Sequence, residues 1–218
     1  MKYWLVLDLV EESVIYWIGT VIFAIASLVF GMLEKRSNDR ELIFRSHFFV
    51  GFITTISYMV MALTLATSVA ENGQPIYWTR WLFYIASCSI LTLDIALIAR
   101  RPTPKKVEVA LLTGLTMFCG FLASVIVTVD RWWFFGLSSI AYIGMLYTLF
   151  NVSEGSARIS AIMWFVIITW SLFPVVWVLA PTGLGIFPTS MEAILYLILD
   201  FVTKITFGLY VSTRFHPL

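Results

Sequence analysis

The sequence predicts an all-α membrane protein, a bundle of seven helices that each cross a bilayer. Three observations carry that expectation. The 218 residues are 60% hydrophobic and only 12% charged, against about 25% charged in a soluble domain, and the mean hydropathy is +0.92. Seven apolar stretches approach the ~20 residues that a bilayer crossing needs. The connections between them, EKRSNDRE, ENGQPIY, RRPTPKK, DR, NVSEGSAR and PTGLGIFPTS, are too short to hold a further domain. One domain over residues 1–218 is therefore expected, without repeats or low-complexity tracts.

The segments follow from charge and turn residues at their ends. The first, Val14–Leu33, begins after Glu11 and Glu12 and stops at Glu34, Lys35 and Arg36. The second, His47–Ala70, runs to the polar turn Glu71-Asn72-Gly73, and the third, Trp78–Ala99, to the pair Arg100-Arg101. The fourth, Val107–Val129, lies between Lys105-Lys106 and Asp130-Arg131. Trp132–Phe150 and Ile159–Ala180 flank the polar stretch NVSEGSAR, and Met191–Thr213 follows Pro188. A net charge of +1 offers no basic surface for a nucleic acid. Cys88 and Cys119 sit inside apolar runs, so no disulfide framework is indicated. The N-terminal MKYWLVLDLVEES has acids after its apolar run and no small-residue cleavage site, unlike a removable signal peptide.

Basic residues set the expected orientation. With the N-terminus outside, the inner loops and C-terminus hold Lys35, Arg36, Arg40, Arg45, Arg100, Arg101, Lys105, Lys106, Arg158 and Arg214. The outer side holds Lys2, Arg80 and Arg131. This is a positive-inside bias, and seven crossings then leave the C-terminus in the cytoplasm.

Two ionisable residues near the middle of the seventh segment stand out. Asp200 and Lys204 are four residues apart, about 6 Å of helical rise, and so share a face. A charge at that depth costs roughly 2.5–3.5 kcal/mol on insertion scales, so it is expected to face a partner or a cavity. Lys204 is too far from either end to snorkel easily. That leaves a structural ion pair, or a reactive amine with Asp200 as its counter-ion. The third segment places Arg80, Phe83, Ser87 and Asp94 within about 60° of helical arc, Arg80 at the outer end and Asp94 about 21 Å further in. Singly, Arg80 reads as an interfacial anchor and Asp94 as a snorkelling acid; together they suggest a polar path inside the bundle. In the sixth segment Trp170, Phe173, Pro174 and Trp177 form one aromatic face with a proline kink. Such a face serves packing, or a long, rigid, apolar ligand.

With these motifs the sequence resembles the microbial rhodopsins over all seven helices. The seventh-helix Asp-x-x-x-Lys pattern is met by Asp200 and Lys204, and the sixth-helix Trp-x-x-(Tyr/Phe)-Pro-x-x-Trp pattern by Trp170, Phe173, Pro174 and Trp177. The resemblance implies all-trans retinal as cofactor, bound to Lys204 as a protonated Schiff base. It implies a pocket formed by those aromatic residues with Tyr84, Phe135, Ser138 and Tyr142, and a bond from Tyr58 to Asp200. A homotrimer in the cell membrane is implied as well.

Outward proton pumps of this family carry a carboxylate three residues after the third-helix arginine. Here that position is Phe83, which accepts no proton and is a poor substitute for the neutral polar residue of a chloride pump. No further polar ligands for sodium are visible on the stripe. Phe83, Ser87 and an acid at 94 resemble the Phe-Ser-Glu pattern of the schizorhodopsins and Antarctic rhodopsins, a branch that pumps protons inward, and Cys88 agrees with it. Asp94 departs by one methylene from the usual Glu. The resemblance thus implies a light-driven inward proton pump with Asp200 as sole counter-ion, and with Ser87 and Cys88 beside the Schiff base. Proton release to the cytoplasm would be assisted by Asp94. A photosensor signalling through a membrane partner is the alternative. Glu192 reads as an exposed interfacial carboxylate near the outer mouth. Glu11, Glu12, Glu108, His47 and His216 lie near segment ends and are assigned no function. No Cys/His cluster, catalytic carboxylate pair or glycine-rich phosphate loop occurs, so neither a metal site nor an enzyme is expected.

Overall fold

The computed structural model describes residues 2–36, 40–150 and 157–214. His216, and the side chains of Lys2, Glu11, Arg158 and Arg214, lie outside the described residues. Helices α1 (Lys2–Lys35), α2 (Glu41–Ala62), α3 (Thr79–Ile98), α4 (Thr103–Val125), α5 (Arg131–Phe150) and α6 (Ala157–Leu179) are followed by a seventh rod in three parts. These are α7 (Thr189–Asp200), a π-helical stretch (Phe201–Thr206) and α8 (Phe207–Arg214). Among the described residues, seven helical spans are long and apolar enough to cross a membrane.

The burial pattern is that of a bundle in lipid. Leu28, Leu111, Ile140 and Trp133 stand exposed, Trp133 at 76%. Thr54, Ser57, Ser87, Thr92 and Thr113 are fully buried between helices. In a bilayer apolar side chains gain nothing by leaving the outer surface, and helices associate through small residues and hydrogen bonds. The Thr92 and Thr113 hydroxyls meet at 3.0 Å between α3 and α4. Ser27 donates to the Phe48 carbonyl at 2.9 Å. Gly51 packs so closely on Ser27 that a Cβ there would lie 3.1 Å from the serine Cβ.

Several ends differ from the sequence reading. The α1 backbone is helical from Lys2 rather than Val14, because apolarity marks the membrane portion of a helix and not its whole length. Helix α2 ends at Ala62, eight residues short of the expected Ala70. The apolar composition continues, but Thr64 and Ala66 take positive φ and turn the chain out of the helix. It then forms a two-stranded antiparallel hairpin, β1 (Ser68–Val69) with β2 (Pro75–Ile76), in the register Ser68 to Ile76 and Val69 to Pro75. Gly73 supplies the left-handed residue of its turn, at φ 82°. Helix α4 starts four residues early, where Pro104 suits the first helical turn, and ends at Val125 instead of Val129.

The hairpin ties together one end of the bundle. Gln74 Oε1 accepts the Thr189 amide at 2.8 Å and the Thr189 hydroxyl at 3.1 Å, so it satisfies the first turn of α7 from 115 residues away. Glu71 pairs with Arg131 of α5 at 3.6 Å. Tyr77 donates to Glu12 of α1 at 3.3 Å. Burial, followed by that carboxylate, raises the Tyr77 phenol above its ordinary pKa.

Candidate functional site

Helices α3 and α7 both run away from the hairpin end, which sets Arg80 and Asp200 at similar depth. Arg80 and Asp200 are a buried pair, Nη1 3.3 Å from Oδ2. The same Oδ2 accepts the Tyr58 hydroxyl at 2.7 Å and the Tyr84 hydroxyl. Oδ1 takes the Lys204 amine at 2.6 Å. Asp200 is 0% exposed and accepts from four donors, three at Oδ2 and one at Oδ1. Tyr58 thus makes the bond expected of it. Lys204 Nζ also lies 3.5 Å from the centre of the Tyr84 ring. The Arg80 guanidinium sits 4.6 Å from the Tyr196 ring and 5.3 Å from that of Tyr58, where aromatic faces favour a cation screened from water. Two cations therefore share one ion-paired carboxylate. An uncompensated buried charge is costly, so Asp200 holds the cluster together.

Lys204 lies in the π-helical stretch, where one extra residue per turn shifts the angular register after Asp200. Its amine opens into a cavity of about 730 Å³, counting the open side. All nine residues expected at a ligand pocket line it: Lys204, Trp170, Phe173, Pro174, Trp177, Tyr84, Phe135, Ser138 and Tyr142. Phe135 stacks on Trp177 with ring centres 4.8 Å apart, and Phe173 stacks on Tyr196 at 5.8 Å. The indole of Trp177 donates to Ser124 Oγ at 2.9 Å. Tyr142 and Ser171 hydroxyls lie 3.1 Å apart, and Ser138 donates to the Thr116 carbonyl at 2.8 Å. The walls are apolar and aromatic, with polar groups that satisfy one another and an amine at one point. Retinal, a polyene aldehyde, fits that lining: hydrocarbon against rings, and an aldehyde carbon for the amine.

The third helix presents its wall differently from the expected stripe. Arg80, Ser87 and Asp94 are buried, but Phe83 is only half-buried and does not line the cavity. The wall is the adjacent stripe, Trp81, Tyr84, Cys88 and Leu91. Trp81 and Leu91 escaped sequence reading, as did Thr116, Met117 and Gly120 of α4. The repeat i, i+3, i+7, i+10 from Trp81 to Leu91 was the available signal. Cys88 faces the cavity, whereas Ser87 donates to the Phe83 carbonyl at 3.3 Å.

One further expectation is corrected. Glu192 is 7% exposed, with Oε2 lacking a hydrogen-bond partner among the described residues, and is no exposed interfacial carboxylate. Asp94 is 1% exposed and does not snorkel; its Oδ2 has no hydrogen-bond partner among the described residues. Glu12 and His47, near helix ends in the sequence, are buried as well.

The profile of a family described as bacteriorhodopsin-like protein matches residues 10–215. The bacteriorhodopsin of Haloterrigena sp. (strain arg-4) is 30% identical over 90% of this chain and 85% of its own length. The sensory rhodopsin-2 of Natronomonas pharaonis is 24% identical over 92% of this chain and 87% of its own. Among solved structures, schizorhodopsin 4 superposes with a TM-score of 0.86 at 34% identity, covering 93% of this chain and 99% of that one.

Proposed function

This chain belongs to the bacteriorhodopsin-like family of microbial rhodopsins, and on that premise we propose that it is a light-driven inward proton pump. It is a multi-pass protein of the cell membrane, and members of the family bind retinal. They are light-driven pumps and sensors, not enzymes. The proposal includes one domain over residues 1–218, an outer hairpin end and a cytoplasmic C-terminus, and a homotrimer carried over from the resemblance.

Retinal condensed with Lys204 as a protonated Schiff base supplies a positive nitrogen and a bond that light isomerises. This chain's residues then decide where the proton at Lys204 Nζ goes. Trp170, Phe173, Pro174 and Trp177 hold the hydrocarbon and exclude water. Arg80, Tyr58 and Tyr84 hold Asp200 against Nζ. Of the four hydrogen bonds that Asp200 accepts, three fall on Oδ2 and Lys204 alone bonds Oδ1. Phe83 offers no second acceptor on the outer side. On the inner side Asp94 has an oxygen without a partner among the described residues, a carboxyl placed to assist release of the proton toward the cytoplasm. Outer water then reprotonates Nζ past Arg80 and Asp200. The observation that carries this reading is Phe83 in the place of a carboxylate, with Asp94 buried further inward on the same helix and its Oδ2 unpartnered among the described residues.

Illumination of bacterial cells that express the protein with retinal should raise the external pH, and a protonophore should abolish the change. Acidification would refute the reading. The sensory relative gives a second reading, photosensing through a membrane partner, which a visible absorption band without any pH change would favour. Lys204→Ala should lose the band.

A further inference from the structure

Resting on the retinal site read at Lys204, and independently of the direction of transport, we infer that Tyr196 is a positioning residue whose ring holds the Arg80 guanidinium beside Asp200. Tyr196 stands four residues before Asp200 on the seventh rod, so the two share a face one turn apart. It is fully buried. The Arg80 guanidinium lies 4.6 Å from its ring centre, nearer than to the rings of Tyr58 at 5.3 Å and Tyr16 at 5.9 Å.

Hydrogen bonding alone seats Arg80 loosely. Its bonds to Asp200, Tyr58 and Tyr84 all leave from Nη1, at 3.3, 3.2 and 3.4 Å. A charge-assisted bond normally closes to about 2.7–2.9 Å, and an arginine fixed by a carboxylate often uses both prongs of its fork. One nitrogen shared among three oxygens at longer range leaves the guanidinium plane free to pivot. Aromatic faces screened from water supply the missing restraint. Tyr58 and Tyr84 also give their hydroxyls to Asp200. Tyr196 donates instead to the Phe173 carbonyl at 3.3 Å, so it meets the ion cluster with its ring alone.

That ring is itself held. Phe173 stacks on it with centres 5.8 Å apart, and Trp81 meets it edge-on at 5.8 Å. Both neighbours line the cavity at Lys204, so Tyr196 ties the cavity wall to the arginine. A further turn outward is Glu192, buried and with Oε2 unpartnered among the described residues. Tyr196 thus occupies the turn between two acids and keeps Arg80 at the inner one.

The test uses the full chain with all-trans retinal. The charge of Arg80 offsets part of that of Asp200 at Nζ. Withdrawing Arg80 holds a positive nitrogen more firmly in the dark than after excitation has drawn its charge away, which widens the energy gap. Tyr196→Leu, which lacks the ring face, should therefore absorb at shorter wavelength. Tyr196→Phe, which keeps the face, should retain the wild-type maximum. In an Arg80→Gln background Tyr196→Leu should add no shift. An unmoved band in Tyr196→Leu, the same shift in Tyr196→Phe, or a full shift in the Arg80→Gln background would overturn the inference. Where a variant forms no pigment, the same cycle is read by thermal unfolding of the retinal-free protein. Tyr196→Leu should then lower Tm less in the Arg80→Gln background than in the wild type, and equal losses would overturn the inference. A wild-type chain that gives no visible band with retinal would refute the reading of Lys204 and leave the retinal-free cycle to decide on Tyr196.

Discussion

A carboxylate that accepts hydrogen bonds from a lysine, an arginine and two tyrosines is unusual at the centre of a membrane span. Asp200 accepts four hydrogen bonds, while Asp94 Oδ2 has no partner among the described residues. That contrast gives Asp94→Asn a definite expectation. The variant should form the same pigment, since Asp94 is no part of the cavity wall, and its light-induced external alkalinisation should fall at least tenfold. Flash-induced pH changes in cells read it directly; wild-type rates would remove Asp94 from the path. At this scale much was legible. The four-residue spacing of Asp200 and Lys204 announces their pairing, because helical neighbours at i and i+4 meet. What escaped was the absolute rotation of α3. A helical wheel gives the angles between residues but not which angle faces the cavity. The cavity takes Trp81 and Leu91, and Phe83 turns partly away.

Helix packing gives a second kind of expectation. Gly19 on α1 faces Tyr58 so closely that a Cβ would lie 2.3 Å from the tyrosine ring. Gly19→Ala should push α1 from α2 or move Tyr58 off Asp200. Overpacking of this kind costs about 1–3 kcal/mol. Lower thermal stability of the pigment, seen as faster bleaching on heating, together with a shifted absorption maximum would mark the displaced tyrosine. An unaltered spectrum and bleaching rate would show that the helices absorb the methyl freely. Spans were legible at this scale because hydropathy dominates them. The end of α2 was not, because Leu63, Leu65 and Val69 are as apolar as a helix interior although the chain has already turned toward a hairpin. The π-helical stretch at Lys204 was equally silent, since nothing in FVTKIT breaks helical patterning.

For the whole molecule the composition identified the class and left the assembly open. Orientation rests on the distribution of basic residues and can be measured. Asn72 in the hairpin turn and Thr103 in the first turn of α4 are both exposed and lie at opposite ends, so Asn72→Cys and Thr103→Cys report the two sides. An impermeant maleimide added to intact cells should label the first and spare the second. The native Cys88 and Cys119 are buried and leave the background low. The reverse pattern would invert the bundle and, with it, the proposed direction of transport.

The Gln74 cap on α7 has a bearing on biogenesis. The chain is made from its N-terminus, so helices α1 to α3 and the hairpin exist before Thr189 is synthesised. The first turn of the last rod is then met by a side chain synthesised 115 residues earlier. Since Lys204 rides on that rod, Gln74→Ala should disturb the chromophore site from the far end of the rod, seen as a shifted absorption maximum.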